Sequence, residues 1–224
     1  MLPKSIIPRQ SLQAEVVSRL RDEIIEGVWE PGARLQERRM CERYGISRSP
    51  LREAYHVLAI EGLLELLPSR GAVVTAPTKE DSMQHYTLSK ALEILGLELA
   101  CDNATEDELD NIEFLHRKMQ RLCEKKDLPG LLKINNEIHR AIVCASGNIP
   151  LIHTHLIIAR HIIRIQNLNG AIEHSTEDAF AQHEAFMAPF LKRDKAKAVS
   201  AFKKHLSTVG NNLQQRLDTA FYVD

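Results

Sequence analysis

RLQERRMCERYGISRSPLR, residues 34–52, is the stretch on which the reading of this 224-residue chain turns. Its pattern predicts two short helices, one over about Gln36–Tyr44 and one opening near Ser49-Pro50, broken at Gly45. Ser49 before Pro50 resembles a cap with proline in the first helical position, and Ser47 is the alternative cap. The spacing has steric reasons. Cys41, four before the glycine, is small where the two helices must cross. Gly45 tolerates the positive φ of a sharp turn, and Leu51 offers an apolar anchor six residues later. With those positions set, Arg48, Ser49 and Arg52 fall on the outer face at the N-terminal end of the second helix. In a helix-turn-helix that end enters the major groove, where arginine pairs with guanine O6 and N7.

The stretch holds six arginines against two glutamates, while the whole chain carries a net charge of −1. Bulk attraction to a polyanion is therefore excluded, and any nucleic-acid contact must be focused on a small surface. A salt-bridged, solvated helix face would also account for the charge, since Glu37, Glu42 and Glu53 are at hand. The flanking sequence argues for the reader of DNA. Upstream, Leu12, Val16, Leu20 and Ile24 recur every four residues between a possible cap at Ser11 and a stop at Gly27. Downstream, the helix carrying Leu51, Tyr55 and Leu58 ends at Gly62. Two β-like runs, Leu63 to Leu67 and Ala72 to Ala76, then flank the turn Pro68-Ser69-Arg70-Gly71. Three helices and a hairpin make a winged helix-turn-helix over residues 1–77. Arg38 and Arg39 border the groove, and Arg70-Gly71 form the wing tip, placed for phosphate or minor-groove contact.

Ala76-Pro77-Thr78 punctuates a boundary, and residues 78–224 read as about six helices. Thr105 with Glu108 is a capping box; Thr78 with Asp81 is an imperfect one, with Asp where Glu or Gln is usual. An antiparallel bundle buries such amphipathic faces economically. The fold class is thus mainly α, a winged helix-turn-helix followed by an all-helical bundle. The four cysteines form no CxxC pair and fit a reducing compartment. MLPKSIIPRQ is too short and polar for a signal peptide, and no apolar run reaches membrane-spanning length, so a cytoplasmic protein without membrane contact is expected.

Three of the ten histidines face inward on their helices: His139 with Ile142 and Val143, His183 between Phe180 and Phe186, and His205 with Phe202 and Val209. The other seven look unremarkable. Three buried imidazoles each carry a desolvation cost unless paired, and one shared divalent ion would satisfy them all. Asn135, one turn before His139, is a fourth candidate ligand. Hydrogen-bonded core histidines are the alternative.

Residues 9–77 resemble the GntR-type winged helix, through PG at 31–32, L-x-E at 35–37, GISRSPLREA at 45–54, EGL at 61–63 and RG at 70–71. The resemblance implies operator-DNA contact by Arg38, Arg48, Ser49, Arg52, Arg70 and Gly71. Residues 80–218 are similar to the FCD ligand-binding domain of the FadR-type branch, through NNEIHRAIVCASGN, Gln182-His183-Glu184 and Lys203-Lys204-His205-Leu206. That implies a zinc or nickel ion held by Asn135, His139, His183 and His205, in a homodimeric regulator, more often a repressor, that answers to a small organic acid. Two departures stand out: Asn135 replaces the commoner aspartate, and Ser89 replaces an arginine that grips the effector's carboxylate. Arg160, Arg164 and Asn167, on a later helical face, are the candidates to supply the missing charge. A metal-dependent enzyme fused to a DNA-binding module and a non-specific architectural DNA binder are the rival readings; no enzymatic activity is expected.

Overall fold

The computed structural model describes residues 12–68, 71–169 and 176–219. The chain divides into two compact units between Pro77 and Thr78. The first contains α1 (Leu12–Ile25), β1 (Arg34–Leu35), α2 (Glu37–Tyr44), α3 (Arg48–Ile60), β2 (Leu64–Leu67) and β3 (Gly71–Val74). The helical period in α1 and α3 turns Leu20, Ile24, Leu51, Tyr55 and Leu58 into one core with Leu35, Met40, Leu63 and Val74. The antiparallel sheet has the order β1-β3-β2, with Leu64 opposite Val74 and Leu67 opposite Gly71. The sequence pattern contained no sign of β1, whose two residues pair with Val73 and Ala72. A strand that short has no period of its own; β3 imposes it. The expected cap at Ser11 and the tip residues Ser69 and Arg70 lie outside the described residues.

Two glycines are required where they stand. Gly45 ends α2 in the left-handed region at φ 65°, and the turn is closed by Ile46 N–H donating to the Cys41 carbonyl. Gly71 has φ 95°, and a Cβ there would lie 2.3 Å from the Leu35 carbonyl oxygen. Conformation and space therefore both demand glycine at the junction of β3 and β1. Of the alternative caps, Ser47 is the N-cap of α3. Arg21 pairs with Glu61 through two 2.7 Å bonds and ties α1 to the end of α3.

The second unit is helical among its described residues: α4 (Lys79–Asn103), α5 (Glu106–Glu124), α6 (Leu128–Ala145), α7 (Ile149–Asn169), α8 (Thr176–Leu191) and α9 (Lys195–Thr219). The Thr78 box is complete after all: Asp81 N–H donates to Thr78 Oγ1 at 3.0 Å, and Thr78 N–H donates to Asp81 Oδ2 at 3.2 Å. A shorter carboxylate than glutamate reaches because the Thr78 hydroxyl meets it at 2.7 Å. Helices α5 and α6 pack side by side, as do α8 and α9, and α4 lies against α6, α7 and α9. The core runs through Leu97, Ile112, Ile138, Ile142, Phe186, Phe190 and Phe202. None of the described helices is long and apolar enough to cross a membrane.

Candidate functional site

The first candidate site is the outer edge of α2 and α3. Arg48 and Ser49 open α3 and are exposed, as the spacing around Gly45 requires. Arg38 stands on α2 with its side chain 85% exposed, 3.0 Å from Glu42 one turn away. Such a surface pair is worth at most about 1 kcal/mol and exchanges readily for another anion. Arg52 is held more firmly. It donates from Nε and Nη2 to the two oxygens of Glu37 at 2.8 and 2.9 Å, a fork that bridges α3 to α2. That fork holds the Glu37 carboxyl below its usual range. Gly71 is buried beside Leu35, so its demand for glycine is structural in the first place. Arg70 lies outside the described residues.

The second candidate site is built where α6, α8 and α9 meet. His139, His183 and His205 are buried, with ring centroids 5.3, 5.4 and 4.8 Å apart. The potential ligand atoms of the three imidazoles all lie within 4.8 Å of one another. Two nitrogens on one zinc-like ion stand no more than about 4.2 Å apart, so small side-chain rotations suffice. Asn135, one helical turn before His139, faces the same point, with Oδ1 2.7 Å from His183 Nε2. Phe186 and Phe202 wall the cluster and touch one another at 4.7 Å.

Burial keeps two of the three imidazoles, His183 and His205, neutral. Burial, reinforced by the neighbouring rings of His205, His139 and His116, pushes His183 well below its usual range. Burial and His139 push His205 down to about 3, against the pull of Glu93. A neutral imidazole offers a lone pair, the state a metal needs. His139 Nε2 and His183 Nδ1 are buried without a hydrogen-bond partner, which costs about 1–3 kcal/mol for each such atom. The residues present therefore fit a divalent ion: an oxygen donor, three converging imidazoles and unsatisfied buried nitrogen.

Helices α4 and α7 supply further residues, of which Ser89 figured in the sequence reading. Glu93 accepts from His139 Nδ1–H at 2.6 Å and from Ser89 Oγ at 2.7 Å, while His155 Nε2 stands 3.5 Å from its second oxygen. Burial alone would raise the Glu93 pKa, yet His139 and His155 more than offset this and hold it below the carboxylate range. His155, only 3% exposed, and His116, stacked 5.1 Å from Phe180, are buried. The expectation that seven histidines were unremarkable fails for these two. His155 lies one turn after the buried Leu151, a weak signal diluted by the alternation of histidine and isoleucine along α7.

The candidate anion-binding residues on α7 differ in depth. Arg164 is 2% exposed, and burial pushes its pKa down to about 10. Arg160 is half-buried, but Asn167 is exposed. Helical geometry places the three within about 60° of arc, with Asn167 about 20° from Arg160. Burial falls across that face from Arg164 to Asn167.

Residues 12–74 match the family of bacterial regulatory proteins called gntR, and residues 84–208, more than half of the chain, match the FCD domain. The chain belongs to the GntR family of transcriptional regulators and carries an FCD domain. Among its relatives is the HTH-type transcriptional regulator YdhC of Bacillus subtilis, 28% identical over 90% of each chain. The transcriptional repressor RspR of Escherichia coli is 22% identical over 93% of this chain and 91% of its own. The solved structure of Escherichia coli McbR/YncC shares the fold, with a TM-score of 0.77 at 21% identity over 92% of this regulator and 99% of that chain. The winged helix-turn-helix and the helical FCD unit described above are those of this family, as the resemblance implied.

Proposed function

We propose that this GntR regulator acts as a homodimer that represses a metabolic operon in the cytoplasm, and that a small organic acid bound near a divalent ion in the FCD unit releases it. One observation carries the reading: three buried imidazoles converge in a chain that also bears an exposed arginine edge on a helix-turn-helix. Arg48 and Arg52 read bases in the major groove, Arg52 exchanging Glu37 for a guanine edge. Ser49 contacts the same groove, Arg38 a phosphate, and Arg70-Gly71 the wing's side of the duplex. Two such edges in a dimer match the half-sites of a palindrome.

Asn135, His139, His183 and His205 hold the ion; imidazole donors suit zinc and nickel. When bound, the ion supplies open coordination positions that orient a ligand carboxylate. Arg164, with Arg160 beside it, offers positive charge to the same ligand, and Asn167 is left with the weakest support. Release requires that the effector bind one dimer geometry more tightly than the other. RspR being a repressor favours that sign of regulation.

Gel shifts on unrelated and family-like palindromic duplexes, with and without a chelator and a panel of small carboxylates, test the reading. Preference for one palindrome, weakened by one carboxylate only in the presence of metal, is expected. Equal affinity for every duplex would favour an architectural binder. Metal-dependent turnover of a carboxylate would favour an enzyme.

A further inference from the structure

We propose that Glu93 is the anion of the histidine centre: a positioning residue that fixes His139 as a ligand and supplies, from one imidazole away, the negative charge that Asn135 does not bring. The inference rests on the metal-binding reading above and adds to it the outer residues that make a neutral ligand set workable.

Asn135, His139, His183 and His205 offer one amide oxygen and three imidazoles, none of them anionic. A divalent cation would bring two positive charges into a pocket where His183 is 0% exposed. Charge taken out of water without a counter-charge is costly, by several kcal/mol per ion even after relaxation. Compensation must come from close by. Among the described residues, Glu93 is the carboxylate in direct contact with one of the three imidazoles. Glu184, nearest to His116, stands 3.7 Å from that ring with its side chain 59% exposed.

The geometry around Glu93 is specific. Its Oε2 lies 2.6 Å from His139 Nδ1, so that nitrogen carries the proton and donates it. In the neutral ring, the form that ligates, the lone pair is then on Nε2, the buried atom that lacks a partner. A ligating histidine commonly donates its other N–H to a carboxylate in this manner, which orients the ring and raises its basicity. Oε1 in turn accepts from Ser89 Oγ at 2.7 Å, one turn earlier on α4, and faces His155 Nε2 of α7 at 3.5 Å. The carboxylate is therefore carried by α4 and faced by α7, two helices that contribute no ligand atom themselves. Ser89, a neutral side chain, steadies Glu93 without pairing away its charge.

Zinc affinity of the stripped full-length protein, measured by competition with a chromophoric chelator, tests this. Glu93→Gln should weaken zinc binding about 10–100-fold, with the metal-free melting transition monitored in parallel. Asn135→Asp placed in the Glu93→Gln background should recover most of the loss, because a charge at the ligand replaces one behind it; a packing role for Glu93 would show no such rescue. Should Glu93→Gln fail to fold, Ser89→Ala carries the test, with zinc weakened several-fold at unchanged melting. Unchanged zinc affinity in either variant, or loss that Asn135→Asp does not relieve, overturns the proposal alone. Wild-type protein that takes up no zinc overturns the metal reading beneath it as well.

Discussion

The arginine edge of the winged helix and the histidine centre of the FCD unit stand in opposite relations to water. Arg38 and Arg48 are solvated, and Arg38 rests in a surface ion pair that costs little to exchange. His183 and His205 are buried among aromatic rings and held uncharged by that burial. At the first site each side chain acts nearly on its own, so single substitutions should be graded and additive. At the second, position, protonation and packing are set jointly, so one change should disturb all of them. The difference suits their proposed tasks: a surface that samples many duplexes, and a centre that answers to one ligand.

The largest expected effect lies at the centre. Phe186→Ala empties a fully buried site that touches His183 at 4.9 Å and Phe202 at 4.7 Å. It should cost about 3–5 kcal/mol in chemical denaturation and lower zinc uptake together with stability. A loss in stability with zinc binding intact would break the claim that packing and ligation are one unit there.

Acidification comes next. Burial sets His205 at about 3 and His183 well below 6.5, whereas both titrate near 6.5 in an unfolded chain. Below about 6.5 the unfolded chain therefore binds protons that the fold refuses. Metal-free stability is full above that pH and is lost as pH falls, by up to about 1.4 kcal/mol per unit for each histidine. Glu93, also held low, deepens the loss below about 4.5 in the same direction. Denaturation curves at pH 7, 6 and 5 check this; a flat profile would sink the assignment of neutral buried imidazoles.

At the arginine edge, Arg48→Ala should remove about 1–3 kcal/mol of base discrimination and leave the melting curve in place. Arg52→Ala should weaken DNA binding as well, but with a small loss of stability, because it frees Glu37. Equal specificity in Arg48→Ala and wild type, read by competition gel shifts, would refute the docking. The smallest effect belongs to Arg38→Ala, which should weaken binding to all duplexes alike and lower the salt dependence by about one phosphate contact.

Much of the winged helix was legible because its determinants are contiguous. Cys41, Gly45 and Leu51 stand within one turn motif, and their spacing alone places Arg48, Ser49 and Arg52 on the same edge. What escaped was relational. β1 exists only through its pairing with β3, and Arg52's bond to Glu37 joins residues whose approach depends on the crossing of α2 and α3. In the helical unit the period put His139, His183 and His205 inward, yet the same rule applied to α7 passed over His155 and did not register how much deeper Arg164 lies than Asn167. Periodicity gives the face of a helix; it does not say how deep each edge of that face lies or which neighbour covers it.

Residue order by itself determined that this chain would be a GntR-type winged helix joined to a helical FCD unit, because turns, caps and apolar periods act over a few residues and need no distant partner. It also determined which side chains could donate to an ion, with asparagine at position 135. Only the tertiary structure decided that three helices bring the imidazoles within 4.8 Å, that Glu93 reaches His139, and that His155 stands 3.5 Å from that carboxylate. Those contacts join residues some tens of positions apart, and their distances follow from how whole helices pack, a property that no local spacing contains.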